Sequence, residues 1–137
     1  MPGGRYRRIC YIWHIMDDEK PLYWVGSSLA DLRALPAEVK DVFGFALQLA
    51  QWGDKHPDAK PLKGFKGASV MEVVEVYEGD AYRAVYTVRY ARAVFVLHVF
   101  QKKSKRGIKT PKPDLDLIRQ RLKLAQDWYE TLIRDDS

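Results

Sequence analysis

The chain has 137 residues, of which 47% are hydrophobic and 30% charged, a balance that argues against a disordered chain and supplies enough apolar surface for a buried core. A net charge of +5 suits a polyanionic partner but specifies no activity. The single cysteine, Cys10, rules out an internal disulfide and a cysteine-rich zinc site, and no apolar run approaches the ~20 residues that span a bilayer.

Taken in order, Arg5, Arg7 and Arg8 precede the apolar run Ile9 to Met16, a pattern superficially like a signal peptide. His14 interrupts that run, Asp17, Asp18 and Glu19 follow it at once, and no small-residue cleavage site is present. A cytoplasmic protein is therefore expected, with 1–137 as a single domain and 1–20 as an N-terminal extension or extra edge strand, its strand-like part running from Tyr6 to Ile15. Pro21 leads into a short strand, Leu22 to Val25, closed by Gly26. Ser28 with Asp31 approximates a capping box and opens a helix carrying Leu29, Leu32 and Leu35. Pro36 suits the first turn of a second helix, in which Val39, Val42, Phe43, Ala46, Leu47 and Ala50 keep helical spacing up to Gly53. Asp54 to Gly67 reads as a loop, with Lys60, Lys63 and Lys66 around Phe65 in the string KPLKGFKG. Val70 to Tyr77 reads as a strand turned by Glu78, Gly79 and Asp80 into the central hairpin.

That hairpin, with the basic segment that follows it, is the stretch the others support. Side chains on a strand alternate between faces, so Tyr82, Ala84, Tyr86, Val88 and Tyr90 oppose Arg83, Val85, Thr87 and Arg89. In the next strand Phe95, Leu97 and Val99 oppose Val94, Val96, His98 and Phe100. A two-residue turn at Ala91 and Arg92 pairs Tyr90 with Ala93, and sets Arg83 opposite Phe100 and Val85 opposite His98. One face is then aliphatic and aromatic, ready to be covered by helices. The other gathers Arg83, Arg89, His98, Phe100 and Lys102 as an open face for an anion bearing flat rings. No Asn-Gly or Asp-Gly signal pins the turn, so a one-residue slip would scatter this group.

Lys102, Lys103, Lys105, Arg106, Lys109 and Lys112 then crowd together, which calls for a compensating anion or a solvated loop. Thr110 and Pro111 start a long helix with Leu115, Ile118, Leu122, Ala125, Tyr129 and Leu132 on one stripe. His14, His56 and His98 are too scattered for a metal signature, and KGFKG lacks phosphate-loop spacing, so no metal or cofactor is expected. RNA can be cleaved without one, because the substrate brings its own nucleophile in the 2′-hydroxyl. The protein must supply a base, a cation for the developing charge and an acid for the leaving oxygen. Arg83 suits the phosphate through its planar fork. Lysines 63, 66, 102 and 103 suit the backbone or proton exchange. Imidazole is the side chain that titrates near neutrality, which singles out His98, although a structural histidine would read the same way. Tyr82, Tyr86 and Tyr90 read as packing residues, as do Trp128 and Tyr129.

The succession PLYWVGSS, DLRALPAEV, KPLKGFKG, YRAVY, VLHVFQKKSKRGI and TPKPDLDLIRQRLK resembles the phage-derived toxin-like proteins related to HigB, in the RelE/ParE toxin superfamily, over roughly residues 21 to 125. The resemblance implies an α+β fold of RelE-like type: a small antiparallel sheet, a β-meander plus an N-terminal strand, covered by two consecutive helices and completed by a C-terminal helix. It further implies the toxin of a type II toxin-antitoxin system, neutralised by a helix-turn-helix antitoxin. Such a toxin inhibits translation by metal-independent cleavage of mRNA, commonly on the ribosome. By position, Arg83 matches the strand arginine that holds the scissile phosphate, Lys102 and Lys103 the basic pair closing the last strand, and Lys63 with Lys66 the basic loop before the hairpin. The family's tyrosine after the basic pair has no counterpart in SKRGIKTPKP, which leaves proton transfer to His98 or a lysine. The expected catalytic set is Arg83, His98, Lys102 and Lys103. The expected RNA-binding set is Lys63, Lys66, Arg89, Phe100, Lys105 and Arg106. A gyrase inhibitor of the ParE type and a non-enzymatic phage-derived binding module are the alternatives, and the basic face favours the nuclease.

Overall fold

The computed structural model describes residues 19–65, 67, 69–102 and 110–135. The expected strand from Tyr6 to Ile15, and Lys66, Lys103, Lys105 and Arg106 among the expected site residues, lie outside them. In chain order the elements are β1 (Leu22–Trp24), α1 (Ser28–Arg33), α2 (Ala37–Gln51), β2 (Lys60–Pro61), β3 (Val70–Tyr77), β4 (Asp80–Thr87), β5 (Val94–Lys102) and α3 (Lys112–Asp135). They build the α+β architecture expected from the sequence, around a sheet in the order β1-β5-β4-β3-β2. No described helix is long and apolar enough to cross a membrane.

The sheet differs from the expectation first in strand direction and in the number of strands. The sheet is mixed rather than antiparallel, because β1 runs parallel to β5, with Leu22 paired to Val94 and Trp24 to Val96. No hairpin joins these strands, so nothing forces β1 antiparallel. The stretch expected to be a loop contains β2, which pairs Lys60 with Glu72 and Pro61 with Met71. Two residues are too few to show alternation, and proline is tolerated there because the strand is an edge.

The helices begin by local chemistry that differs in detail from the expected caps. Ser27, not Ser28, precedes α1, and its hydroxyl donates to the Asp31 carboxylate at 2.8 Å. Ser28 is buried inside α1 and donates to the Val96 carbonyl at 3.1 Å, tying α1 to β5. Pro36 stands just before α2 rather than in its first turn, where a missing N–H costs nothing. Gly53, at φ +80°, ends α2 by donating its N–H to the Ala50 carbonyl at 3.0 Å, as a left-handed terminator should.

The meander is pinned by its first turn. Glu78 (φ 51°) and Gly79 (φ 85°) both take the left-handed region that a two-residue turn of this twist demands. Tyr77 therefore pairs with Asp80, Val74 with Arg83 and Glu72 with Val85. In the second hairpin Arg83 pairs with Phe100 and Val85 with His98 as expected, but the strands stop at Thr87 and resume at Val94. Between these limits the register shifts, since Val85 opposes His98 while Tyr86 opposes Val96. Leu97 is the extra residue of a bulge, and side-chain alternation is reset there.

That reset divides the core differently from strict alternation. Val94, Val96 and Val99 join Tyr82, Ala84 and Tyr86 beneath α2, against Val39, Phe43 and Leu47. Phe95, Leu97 and Tyr90 join Val85 on the opposite face, beneath Ile118 and Ala125 of α3. Tyr86 is a packing group as expected, and burial pushes its phenol up to about 12. The face expected to be open is thus covered along much of its length by α3, whose stripe requires an apolar surface to bury. Arg121 of α3 donates to the Leu97 carbonyl at 2.9 Å, satisfying the acceptor that the bulge takes out of the ladder. One end of this face is left as a cleft.

Candidate functional site

The register aligns side chains in rows across the strands. Lys60, Glu72, Val85 and His98 form one row, and Val74, Arg83 and Phe100 the next. Diagonal neighbours in adjacent rows lie about 7–8 Å apart by Cα, within reach of a long side chain. Arg83 is diagonal to both Glu72 and His98. It turns to Glu72, with Nη1 donating to Oε2 at 2.7 Å. Arg83 is 3% exposed and Glu72 8%, so the pair is a buried, charge-assisted contact.

A cleft of about 460 Å³ opens above this pair, between the β2 edge and the start of α3. Its floor is Glu72, Val74 and Arg83, and its walls include Leu62, Lys63, Thr110 and Leu115. Lys60 and Lys63 are exposed at its rim. Thr110 donates its hydroxyl to Glu72 Oε2 at 2.9 Å. Both bonds fall on Oε2, so among the described residues Oε1 is the oxygen left to take a proton from a bound molecule. A carboxylate, a guanidinium and a basic rim around apolar walls give a base, a positive charge for an oxyanion and a place for a flat ring.

His98 is not among the residues that line this cleft. It is 7% exposed, its ring stacks on Phe100 with centroids 4.4 Å apart, and its Nε2–H donates to Asp114 Oδ1 at 2.8 Å. Because a carboxylate only accepts, this bond places the proton on Nε2. Nδ1 is buried without a partner among the described residues. Asp114 stands in the first turn of α3. The chain His98–Asp114 thus fixes the helix start, and Thr110 just before it holds Glu72 in place.

The other expected site residues are distributed as follows. Phe100 is half-buried and stacked on His98, next to Arg83. Lys102 is buried at the end of β5, opposite Ala81. Lys63 is on the cleft rim. Arg89 is not with Arg83: β4 has ended, Arg89 is exposed, and its guanidinium carbon sits 5.6 Å from the Tyr90 ring centre. Sequence reading missed Glu72, Thr110 and Asp114. Glu72 was within reach, since carrying the register back through the Glu78-Gly79 turn sets it diagonal to Arg83. Thr110 and Asp114 precede or open a helix, and no periodic pattern marks which strand they approach.

A family model for the phage derived protein Gp49-like (DUF891) matches residues 30–123, more than half of the chain and a span that includes Glu72, Arg83, His98, Thr110 and Asp114. No curated protein and no solved structure matches the chain.

Proposed function

We propose, from the premise that this chain belongs to the phage-derived Gp49-like family, that it is a toxin-like endoribonuclease that cuts mRNA through the 2′-hydroxyl of its substrate. The observation that carries this reading is the buried Glu72–Arg83 pair on the floor of a cleft with a basic rim. Glu72 takes the 2′-hydroxyl proton as the 2′-oxygen attacks phosphorus. Arg83 stabilises the charge that builds on the phosphorane oxygens. The P–O5′ bond then breaks, and the 5′-oxygen takes a proton from the cationic rim, which Lys60 and Lys63 form and where Lys63 is assigned as the donor. The products are a 2′,3′-cyclic phosphate and a 5′-hydroxyl. Lys102, with Lys103, Lys105 and Arg106 of the basic segment, supplies further charge for the strand, and a helix-turn-helix antitoxin is the regulator this role requires.

The test is mapping of mRNA 5′ ends after brief induction, with gyrase supercoiling measured in parallel. New ends within reading frames, absent with Arg83→Ala, support the nuclease. Intact mRNA with impaired supercoiling replaces it with gyrase inhibition, and no effect in either assay leaves a binding module.

In this scheme His98 and Asp114 position rather than touch the substrate. His98→Ala and Asp114→Ala are each expected to cost about 1–3 kcal/mol of stability, the penalty for stranding a buried polar partner. They should slow cleavage by roughly tenfold, well short of the ~10²–10⁴-fold of a lost acid or base. A substrate with sulfur at the 5′-bridging position leaves without protonation. Cleavage of it relative to normal RNA should be unchanged by His98→Ala and should rise with Lys63→Ala. Selective rescue of His98→Ala would make His98 the acid instead.

A further inference from the structure

The cleft wall formed by Lys63 and Gly64 continues into a second groove on its far side. Phe65, the next residue of the loop, faces Arg119, which lies one helical turn beyond Leu115 along α3. The approach is close: a Cβ built on Gly64, at φ +91°, would meet Arg119 Nη2 at 3.4 Å. The Arg119 guanidinium carbon lies 5.2 Å from the centre of the Phe65 ring, making a flat cationic and aromatic platform. The groove has a volume of about 430 Å³ and is lined as well by Arg89 and Lys123 and, farther along α3, by Asp127 and Glu130.

From Leu115 to Lys123 the helix advances about 12 Å, the reach of a few nucleotides of extended strand. Among the described residues Arg119 forms its ion pair with Asp116, at 3.5 Å, and both side chains are about half exposed. A pair of that kind is worth little and exchanges readily for phosphate.

We infer that this second groove is a subsite for single-stranded RNA, receiving the strand as it leaves the cleft. Arg119, Lys123 and Arg89 hold its phosphates, and one base stacks on the Phe65–Arg119 platform. The carboxylates of Asp127 and Glu130 repel phosphate and mark where the track ends. This subsite rests on the proposed nuclease reading for its RNA substrate, but it makes a binding prediction that cleavage does not enter.

The experiment compares a labelled trinucleotide with a longer oligonucleotide, both 2′-O-methylated so that no nucleophile is present, by fluorescence anisotropy over a salt series. The wild-type protein is expected to bind the longer probe more tightly. Arg119→Glu with Lys123→Glu should abolish that gain, leave trinucleotide binding unchanged, and lower the salt slope by roughly 1.4, at about 0.7 for each lost single-strand phosphate contact. Asp127→Lys with Glu130→Lys should instead strengthen the longer probe's binding, which guards against loss through misfolding. Equal length dependence in the wild type and Arg119→Glu/Lys123→Glu proteins, or no binding of the longer probe by the wild type, overturns the subsite. RNA left uncut by a protein that keeps this length dependence would overturn the nuclease reading alone, whereas unaltered KM in the double variant would remove the subsite and keep the nuclease.

Discussion

Arg83→Ala is expected to lower cleavage by about 10²–10³-fold at saturating substrate, the usual consequence of removing one charge-stabilising donor from a preorganised site. The loss should appear in kcat more than in KM, because Arg83 acts most strongly on charge present only in the phosphorane. The same substitution leaves Glu72, which is buried and accepts from Arg83 at 2.7 Å, without its cationic partner and with the Thr110 hydroxyl alone of the two donors described. Breaking a buried pair from one side costs about 3–5 kcal/mol, so thermal unfolding must be followed alongside the rate. Arg83→Lys separates the two effects: it returns the charge and much of the stability, but its point charge lacks the fork that spans Glu72 and a phosphate oxygen together. A folded Arg83→Ala protein with an unchanged kcat would remove Arg83 from the chemistry.

Glu72→Gln is expected to be of similar size, about 10²–10⁴-fold in kcat, because it removes the base. The amide keeps an oxygen for Arg83 Nη1 and Thr110 Oγ1, so the cleft and its walls are preserved better than by Glu72→Ala. Thr110→Val serves as the comparison. It deletes only the 2.9 Å bond to Oε2 and should cost roughly the 1 kcal/mol of an ordinary hydrogen bond, a small effect on rate. Equal losses in Glu72→Gln and Thr110→Val would mean that Glu72 is structural, and single-turnover rates with circular dichroism on each variant decide the matter.

The sequence carries the fold through its periodicities. The α2 stripe of Val39, Phe43, Ala46 and Leu47, the α3 stripe of Ile118 and Ala125, and the β4 alternation of Ala84 and Tyr86 all bury as spacing requires. Pairing of Arg83 with Phe100 was legible too; the chain does turn at Ala91 and Arg92, but Tyr90 and Ala93 on either side of that turn lie outside the paired strands. The correct register at that end and the Leu97 bulge at the other end are independent: the bulge shifts only the pairs from Tyr86 onward. Alternation has no means of marking such a residue, because Leu97 and His98 are each compatible with either face. Coverage of the second face was hidden for another reason. An amphipathic helix declares that it buries a stripe, not which surface receives it, and α3 settles on Val85, Phe95 and Leu97.

For the site, the grouping of Arg83, His98 and Phe100 followed from strand parity, while the separation of Arg89 did not. Arg89 shares parity with Arg83 but lies beyond Thr87, where the ladder has ended. Glu72 stood in plain view within VMEVVEV, yet acidic residues draw little attention when the search is for cations. The polar bonds Thr110–Glu72 and His98–Asp114 join residues 38 and 16 positions apart, and only the docked position of α3 brings them together.

The most direct test of the central claim uses one mRNA sequence in two forms, presented to the purified protein free and on programmed ribosomes. One form is all ribose; the other carries a single 2′-deoxy nucleotide immediately 5′ of a mapped cleavage site. The account predicts that the ribose form is cut to a 2′,3′-cyclic phosphate and a 5′-hydroxyl, that the deoxy form is left intact at that site, and that Glu72→Gln cuts neither at an appreciable rate. Equal cleavage of both forms, or fragments bearing 5′-phosphates, would show that the nucleophile is not the 2′-hydroxyl and would contradict the roles given to Glu72 and Arg83.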